Sequence, residues 1–530
     1  MLSGAAARPT LKIIHRMIFR ALRPQRRFPP HPHPQSAQVR FMRTLLVSDD
    51  FTADEIPATG GHRRFIPFRE SHNRKFYMDT PIFDFAQSYQ ERTTLRLHMP
   101  GHKGQPILGI ENLDITEISG ADELFHPCGI IQKSEENSAS IFGASKTVYS
   151  TEGSSLCIRA MVYLALLWGK EKGRKPVILA GRNAHKAFLS AAALIDIDVR
   201  WLYPEREQSL IACEITGLEL EKQLQILSDK PTAVYVTSPD YLGNVLDIAE
   251  LSAVCRRHDV LLLVDNAHGA YLKFLRPDRH PMTLGADVCC DSAHKTLPVL
   301  TGGAYLHISK NAPVLLWDQA NRAMEMFASS SPSYLILQSL DRCNAWLAEN
   351  AGRMAAFAER ICEMKGKLEA CGYTLIGEES FKITLAAKEF GYTGDQLHDQ
   401  LRKQNIECEF SDPDFLTMML TPALEEQELL RAEKALLSVP RKPRIEEKPP
   451  ALPHPRRVLS IREAMLALTE EIPVEQAVGR IFADAQVGCP PCIPIIACGE
   501  EVDEAAVKCF HYYKISSCRV VCFQKVESGK

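Results

Sequence analysis

The stretch that decides the fold is residues 260–269, which read VLLLVDNAHG. Five consecutive apolar residues end directly at Asp265, and a short turn containing a glycine follows. An uninterrupted apolar run of this length is typical of a strand buried on both faces of a parallel sheet. Because ligands bind at the carboxyl ends of strands in open α/β sheets, Asp265 is placed to meet a ligand. An acid that merely begins a loop is an equally good interpretation of Asp265 taken alone.

Helical and β-branched patterns alternate on both sides of this strand. Strands separated by roughly ten to fifteen helical residues predict βαβ units and a mostly parallel sheet, covered by helices on both faces. The predicted strands are 177–180, 199–203, 233–238, 260–264, 286–290 and 304–308. The predicted helices between them are 156–168, 184–194, 218–227 and 248–258. This alternation predicts an α/β fold.

Length and composition limit the class of protein. The chain has 530 residues, of which 45% are hydrophobic and 24% are charged, which is typical of a soluble globular protein with about three domains. The 62 basic and 65 acidic residues give a net charge of -3, so no overall field attracts nucleic acid. No apolar run reaches the ~20 residues that a membrane-spanning helix needs. The chemistry must therefore lie in local motifs.

Changes of pattern divide the chain into five parts. We expect residues 1–77 to be a disordered basic extension, 78–330 an N-terminal segment with the large domain, and 331–438 a smaller α+β domain. A linker at 439–456, rich in proline and charge, precedes a C-terminal α+β module at 457–530.

The N-terminal extension allows two interpretations. Residues 1–48 contain nine Lys or Arg and no Asp or Glu, and basic residues recur there at helical spacing, as in an organelle transit peptide. The alternative is a disordered or untranslated extension, with the working protein beginning at Met42 or Met78. We favour the second interpretation, because no cleavage-site pattern is present and domain-like sequence begins at Met78.

The sixteen cysteines are scattered rather than spaced as a disulfide framework, which predicts reduced thiols and a cytoplasmic protein. Cys489 and Cys492, followed by Cys518 and Cys522, could form a tetrahedral zinc site. The gap between the two pairs is long, and residues 490–491 are two prolines that are typical of a rigid turn. We therefore expect no metal.

Two further motifs accompany Asp265. Residues 151–155 (TEGSS) precede a strongly helical segment and suit a phosphate group at a helix N-terminus, although an ordinary N-cap is the simpler alternative. Residues 292–296 (SAHKT) follow a predicted strand, where partial burial could leave Lys295 a nucleophilic amine. A solvated surface lysine is the common alternative. The order of the three motifs favours a single cofactor site.

That order resembles pyridoxal-phosphate enzymes of fold type I, the aspartate-aminotransferase-like fold. Six motifs are similar to those of the Orn/Lys/Arg decarboxylase family: 98–104 (HMPGHKG), 114–117 (DITE), 182–186 (RNAHK), 237–239 (TSP), 265–269 (DNAHG) and 292–295 (SAHK). The tail resembles that family's C-terminal domain through 479–481 (GRI), 490–494 (PPCIP) and 499–500 (GE). The resemblance implies pyridoxal 5'-phosphate as cofactor and decarboxylation of a basic amino acid.

The resemblance also implies roles for individual residues. Lys295 would hold the cofactor covalently, Asp265 would pair with its ring nitrogen, and His185 would stack on the ring and complete the catalytic set. Further cofactor contacts are implied for Gly153, Ser154, Ser155, Ser238, Ala267, His268, Ser292 and His294.

The motifs say less about substrate recognition than about the cofactor. The resemblance places His98, Gly101, His102 and Lys103 at the substrate entrance, near the interface of a homodimer or a higher homo-oligomer. A distal cation on the substrate could meet Glu117, Asp122 or Glu123, but a solvated acidic loop is an equal alternative. Arginine is the first choice of substrate because compact family members of this length resemble that branch. Lysine and ornithine remain alternative substrates.

Four positions depart from the family pattern. Glu152 replaces an asparagine beside the phosphate turn and should point away from a bound phosphate, Asn266 replaces a glutamate, and cysteines replace residues of the 489–492 turn. Alternatives are an aminotransferase or another lyase of the same fold, or a non-catalytic paralogue. The presence of both Asp265 and Lys295 argues against the last.

Overall fold

The structure, a computed structural model, describes residues 78–206, 209–484 and 493–522. The predicted extension at 1–77 and the two cysteines Cys489 and Cys492, on which the zinc interpretation depends, lie outside these residues.

A seven-stranded sheet forms the centre of the large domain. Its strands are β1 (Lys146–Ser150), β2 (Val177–Gly181), β3 (Asp198–Leu202), β4 (Ala233–Thr237), β5 (Leu261–Asp265), β6 (Val288–Asp291) and β7 (Ala304–Ile308). They lie in the order β1-β7-β6-β5-β4-β2-β3. The pairs β2–β3, β2–β4, β4–β5 and β5–β6 are parallel, whereas β7 runs antiparallel to both of its neighbours. The predicted mostly parallel sheet is confirmed.

The centre of this sheet positions the site. All five residues of β5 are buried, and β5 lies between β4 and β6. The register pairs Thr237 with Asp265, and Asp265 with Cys290. The carboxyl ends of these three strands therefore meet at one edge, which is where an α/β sheet presents its ligand site.

Helices pack against this sheet and continue into the small domain. Those of the large domain are α1 (Pro81–Glu91), α2 (Ile130–Phe142), α3 (Ser154–Glu171), α4 (Lys186–Ile195), α5 (Gly217–Ile226), α6 (Ile248–Arg257), α7 (Pro281–Leu284), α8 (Ala293–Thr296) and α9 (Val314–Glu325). The long α10 (Tyr334–Ala370) leads to α11 (Gly394–Arg402) and α12 (Glu426–Leu437), and the last two helices are α13 (Ile461–Met465) and α14 (Glu504–Tyr512). None of the helices in the described ranges is long and apolar enough to cross a membrane.

Two smaller sheets lie towards the C-terminus. The first is antiparallel, with β8 (Leu375–Ile376), β9 (Lys382–Ala386), β10 (Phe410–Ser411) and β11 (Phe415–Met419) in the order β10-β11-β9-β8. The second pairs β12 (Thr469–Pro473) with β13 (Ser517–Val521). A small α+β sheet domain and a separate C-terminal sheet were both predicted.

Buried polar groups hold the N-terminal helices to α10. The Asp341 carboxylate accepts hydrogen bonds from the backbone N–H groups of Ile82 and Phe83, at 2.9 and 3.0 Å, and from the Ser134 hydroxyl at 2.6 Å. Because Ile82 and Phe83 lie in the first turn of α1, Asp341 supplies acceptors that this helix end lacks. The sequence pattern did not reveal this contact, which spans more than 250 residues.

Glu135 gives a pH-dependent test of this packing. Burial raises the pKa of its carboxyl from 4.5 to about 8, and Oε1 accepts the Tyr149 N–H at 2.8 Å. The folded chain therefore keeps a proton between pH 4.5 and about 8 that unfolding releases, so stability falls as the pH rises through this window. Glu135→Gln keeps the acceptor but does not titrate. We expect its melting temperature to match the wild type near pH 5 and to exceed it by about 3 °C or more near pH 8.

The matched control for this test is Glu136→Gln, at the exposed neighbouring position. It should melt like the wild type at both pH values. Parallel pH dependences for Glu135→Gln and the wild type would contradict the assigned titration.

Candidate active site

A cavity of about 460 Å³ opens at the carboxyl ends of β4 and β5 and at the turn after β6. This volume lies within the range of small-molecule sites. The structure brings together here all but one of the residues predicted to contact the cofactor. The residues that line the cavity as predicted are Gly153, Ser154, Ser155, His185, Asp265, Ala267, His268, Ser292, His294 and Lys295.

Asp265 ends β5 and is held in a fixed orientation. Its Oδ2 accepts the Tyr235 hydroxyl at 3.0 Å, and its Oδ1 accepts the backbone N–H of Ala267 at 3.2 Å and the thiol of Cys290 at 3.6 Å. The residue is 2% exposed and lines the cavity. Donors on both oxygens fix a carboxylate where a cationic ring nitrogen can meet it.

Lys295 lies on the short helix α8, directly after β6. Burial lowers its pKa from 10.5, while the charge of Asp265 opposes this effect. Its Nζ lies 3.0 Å from Nε2 of His268. A lysine with a lowered pKa is a better nucleophile at neutral pH.

His185 caps the N-terminus of α4. Its Nδ1 accepts the backbone N–H of Ala187 at 3.1 Å, so the ring proton resides on Nε2. Burial lowers its pKa from 6.5, which keeps the ring neutral at physiological pH. A neutral, flat imidazole on the cavity wall suits stacking on an aromatic cofactor.

The phosphate motif opens α3. Gly153 adopts a φ of +70°, and helix α3 begins without a side-chain cap, so its first N–H groups are available to an anion. The Ser292 hydroxyl donates to that of Ser154 at 2.8 Å, which brings the motifs at 151–155 and 292–296 into contact. His294 contacts the carbonyl oxygen of Gly303 through Nδ1 at 3.0 Å.

Glu152 does not conflict with a phosphate in this turn. Its Oε1 accepts the backbone N–H of Ser329 at 2.7 Å. The carboxylate is therefore engaged by another loop, although Glu152 also lines the cavity.

The other described departure from the family pattern, Asn266, also has a physical explanation. Its Nδ2 donates to Asp291 Oδ1 at 2.6 Å, and Asp291 Oδ2 lies 2.9 Å from Nε2 of His280. A glutamate in place of Asn266 would put two carboxylates together in a fully buried site. The contact also joins the loop after β5 to the end of β6.

These groups fit pyridoxal phosphate. The cavity supplies a carboxylate for the ring nitrogen, an amine for the aldehyde and an uncapped helix N-terminus for the phosphate. Within the described ranges, Nδ2 of Asn183, a buried residue of the cavity wall, has no hydrogen-bond partner. A buried donor of this kind calls for a ligand or a water.

Ser238 is the predicted cofactor contact that does not line the cavity. Its hydroxyl accepts the backbone N–H of Leu246 at 3.0 Å. Ser238 therefore stabilises the loop after β4, and its contact with the cofactor stays a prediction.

The predicted entrance residues His98, Gly101, His102 and Lys103 do not line the cavity of their own chain. His98 Nε2 contacts the Tyr89 hydroxyl at 2.7 Å, and His102 Nε2 contacts Asp114 at 3.1 Å. Lys103 donates to the carbonyl of His98 at 2.5 Å. In the single chain, the polar side chains of residues 98–103 therefore contact neighbouring parts of the N-terminal segment rather than the cavity.

The acidic candidates for the substrate cation lie elsewhere as well. Asp122 accepts backbone N–H groups of Cys128, Gly129 and Ile131 at 2.8 to 3.0 Å. Its carboxylate thus stabilises the turn before α2, and a substrate role for Asp122 does not agree with this geometry. Glu117 is exposed and accepts the hydroxyl of Thr116 at 2.5 Å.

Sequence reasoning missed the residues that the small domain and the C-terminal module bring to the site. Tyr241 lines the cavity and donates to Glu409 Oε1 at 3.0 Å. Ile493 also lines the cavity, and Arg182, next to Asn183, donates to the carbonyl oxygen of Ile495 at 3.1 Å. Arg182 and Ile493 stand in two of the quoted motifs, whereas Tyr241 and Glu409 do not. No local pattern shows the contacts of Tyr241 or Arg182, because their partners are more than 150 positions away.

Comparison with known families decides the identity. Residues 80–373 match the Orn/Lys/Arg decarboxylase major domain, and residues 451–519 match that family's C-terminal domain. The chain belongs to the Orn/Lys/Arg decarboxylase family. It is therefore a pyridoxal-phosphate-dependent decarboxylase of basic amino acids, as the sequence motifs predicted.

Similar proteins that match most of the chain support this family membership. An arginine decarboxylase of Bacillus anthracis is 30% identical over 80% of this chain and 91% of its own, and one of Bacillus subtilis is 28% identical over 80% and 92%. The lysine decarboxylase LdcA of Pseudomonas aeruginosa is 26% identical over 52% of this chain and 40% of its own. The structure of the lysine decarboxylase LdcF of Francisella novicida has a TM-score of 0.70 at 16% identity, covering 84% and 81% of the two chains, and confirms the fold.

Proposed function

We propose that this decarboxylase converts arginine to agmatine and carbon dioxide, within polyamine or amino-acid metabolism. The arginine decarboxylases of Bacillus anthracis and Bacillus subtilis match about four fifths of the chain, whereas the lysine decarboxylase LdcA matches about half. The reaction itself rests on one observation, which is that Asp265 and Lys295 face the same cavity.

Different residues of the cavity perform different steps of this reaction. When bound, pyridoxal phosphate accepts the electron pair left on the substrate Cα as carbon dioxide departs. Asp265 would hold the ring nitrogen, and Lys295 would hold the cofactor until substrate binds. The Nε2 proton of His185, or that of the released Lys295, is available to return to Cα.

The geometry favours decarboxylation over transamination. Aminotransferases of this fold generally clamp the substrate carboxylate with an arginine of the small domain. Arg402 is the one arginine between residues 381 and 420, and it pairs with Glu407 at 2.8 Å on the exposed side of α11. It is therefore not placed to bind a substrate carboxylate.

Glu409 is the acid that we propose for the distal cation of the substrate. It accepts the hydroxyl of Tyr241, a residue of the cavity wall, and its charge acts on the pKa values of Lys295 and His294. We expect Glu409→Gln to raise KM for arginine about 10-fold to 100-fold with a smaller change in kcat, because a charged hydrogen bond contributes about 1.5–3 kcal/mol.

The control for this prediction is Glu407→Gln, which removes an exposed acid of the same segment that pairs with Arg402. Its KM should equal that of the wild type. Equal effects of the two substitutions on KM, or no effect of either, would show that Glu409 does not bind the substrate.

We also propose that the enzyme acts as a homodimer or higher homo-oligomer in the cytoplasm. Leu95, Leu97, Ile107 and Leu108 are each more than 75% exposed, which favours burial against a second copy. Residues 98–103 lie in the same segment and could complete the partner's site. The fourteen free cysteines of the described ranges agree with a reducing compartment.

The substrate is tested by measuring amine products after incubation with arginine, lysine and ornithine separately. The proposal predicts agmatine as the major product. Preferential formation of cadaverine or putrescine would reassign the substrate, and consumption of an added keto acid would indicate transamination.

A further inference from the structure

Lys382 connects the small domain to Lys295 through a single histidine. It is the first residue of β9, and its side chain is 1% exposed. Its Nζ donates to the carbonyl oxygen of Asp240 at 3.0 Å, lies 3.4 Å from Nδ1 of His268 and forms an ion pair with Glu379 Oε2 at 2.8 Å. An ammonium group has donors and no acceptor, so all three contacts suit a charged Lys382.

The contact with Lys382 determines the tautomer of His268. Burial and the two neighbouring lysines lower the pKa of His268 well below 6.5, so the ring is neutral and carries one proton. With Lys382 as an ammonium group, Nδ1 of His268 can only accept in this contact, which places the ring proton on Nε2, 3.0 Å from Nζ of Lys295. The Nε2–H group must then donate to the lysine nitrogen, and only a neutral amine has the lone pair to accept it.

We propose that Lys382 is a positioning residue, which turns the N–H of His268 towards Lys295 and so holds the Lys295 amine in its free-base form, ready for the cofactor. This inference rests on the proposed role of Lys295 as the cofactor lysine. An amine reacts with an aldehyde only through its lone pair, so the protonated form is inert. Glu379 neutralises the charge of Lys382, which allows an ammonium group to stay buried at this position.

Other charged and titratable groups also act on these residues. Lys295 faces Asp265, Lys382, Glu409, Cys290 and His268, and His268 additionally faces His185, His294 and the ring of Tyr241. In the described part of the chain, Lys382 is the group that donates to Nδ1 of His268. Removing Lys382 therefore frees His268 to present a bare ring nitrogen that accepts a hydrogen bond from a Lys295 ammonium group, which favours the protonated form of Lys295, and it also removes a positive charge.

The test uses the full-length chain stripped of cofactor. Covalent uptake of pyridoxal phosphate is followed between about pH 6 and pH 9 by borohydride trapping and mass measurement of the peptide that contains Lys295. We expect Lys382→Met to move the midpoint of uptake about one pH unit higher, so that uptake at pH 7 is about tenfold slower. If the single variant does not fold, Lys382→Met with Glu379→Gln leaves no buried charge unpaired.

Lys365→Met is the matched control. Its Nζ donates to the carbonyl oxygen of Glu379 at 2.6 Å, so it belongs to the same cluster without bonding to His268. Its midpoint should equal that of the wild type. An unchanged midpoint in folded Lys382→Met protein would overturn the proposal.

A double-mutant cycle separates the hydrogen bond from a direct effect of charge. In a His268→Phe background, Lys382→Met should have little further effect, because the residue that transmits the effect is gone. A full additional shift in that background would show that Lys382 acts through space and would overturn the positioning role. Failure of the wild type to form an adduct at Lys295 would instead refute the proposed role of Lys295.

Discussion

Replacing Lys295 with alanine is expected to abolish decarboxylation, lowering kcat by about 10⁴-fold or more. Lys295 is the lysine whose amine faces the cavity beside Asp265, and its pKa is lowered by burial. Without this amine the cofactor cannot be held covalently, and one of the two groups that can return a proton to Cα is lost. The variant should also lack the long-wavelength absorbance band of lysine-bound cofactor, which a spectrum of the purified protein measures.

The fold should survive this substitution. Among the described residues, the amine of Lys295 hydrogen-bonds to His268, so its removal should leave the melting temperature of the cofactor-free protein nearly unchanged. Lys273→Ala removes a lysine that pairs with Asp278 at 2.8 Å outside the cavity, and it should keep both band and activity. An active Lys295→Ala protein that retains the band would overturn the assignment.

The second large effect is expected for Asp265→Asn. The amide preserves the shape of the carboxylate and can still accept the Tyr235 hydroxyl, but it cannot offset the charge of a protonated ring nitrogen. We expect turnover to fall at least about 100-fold and the cofactor to bind about tenfold more weakly, because an anion at this point keeps the ring an effective electron acceptor. Steady-state kinetics and titration of the stripped protein with cofactor measure the two effects.

Asp287→Asn is the matched comparison. Asp287 lies immediately before β6 and accepts the backbone N–H of Leu262 at 2.8 Å, but it does not line the cavity. Kinetics close to those of the wild type are expected for this variant. Unchanged kinetics for Asp265→Asn would show that Asp265 only begins a loop, which was the competing interpretation of the sequence.

The sequence predicted those parts of the fold that depend on local pattern. The run before Asp265 specified β5, because an apolar strand must be covered on both faces. The three motifs that follow strands or open a helix then located most of the residues that line the candidate cavity. Strand β1 and the reversed direction of β7 were not predicted, since short strands flanked by helices do not reveal their pairing partners.

The substrate side of the site could not be predicted for a related physical reason. Asp122 stood out as an acid in an acidic segment, but three backbone N–H groups occupy its carboxylate. Glu409 and Lys382 reach the site from the small domain through Tyr241 and His268. Contacts over such sequence distances arise only when the domains pack together, and no periodicity within either segment indicates them.

The most direct test of the central claim is a peptide map of the enzyme loaded with pyridoxal phosphate and reduced with borohydride. The account predicts a single stable cofactor adduct, carried by the peptide that contains Lys295, and loss of that adduct in Lys295→Ala. An adduct on a different lysine, or a fully active enzyme with no adduct, would contradict it.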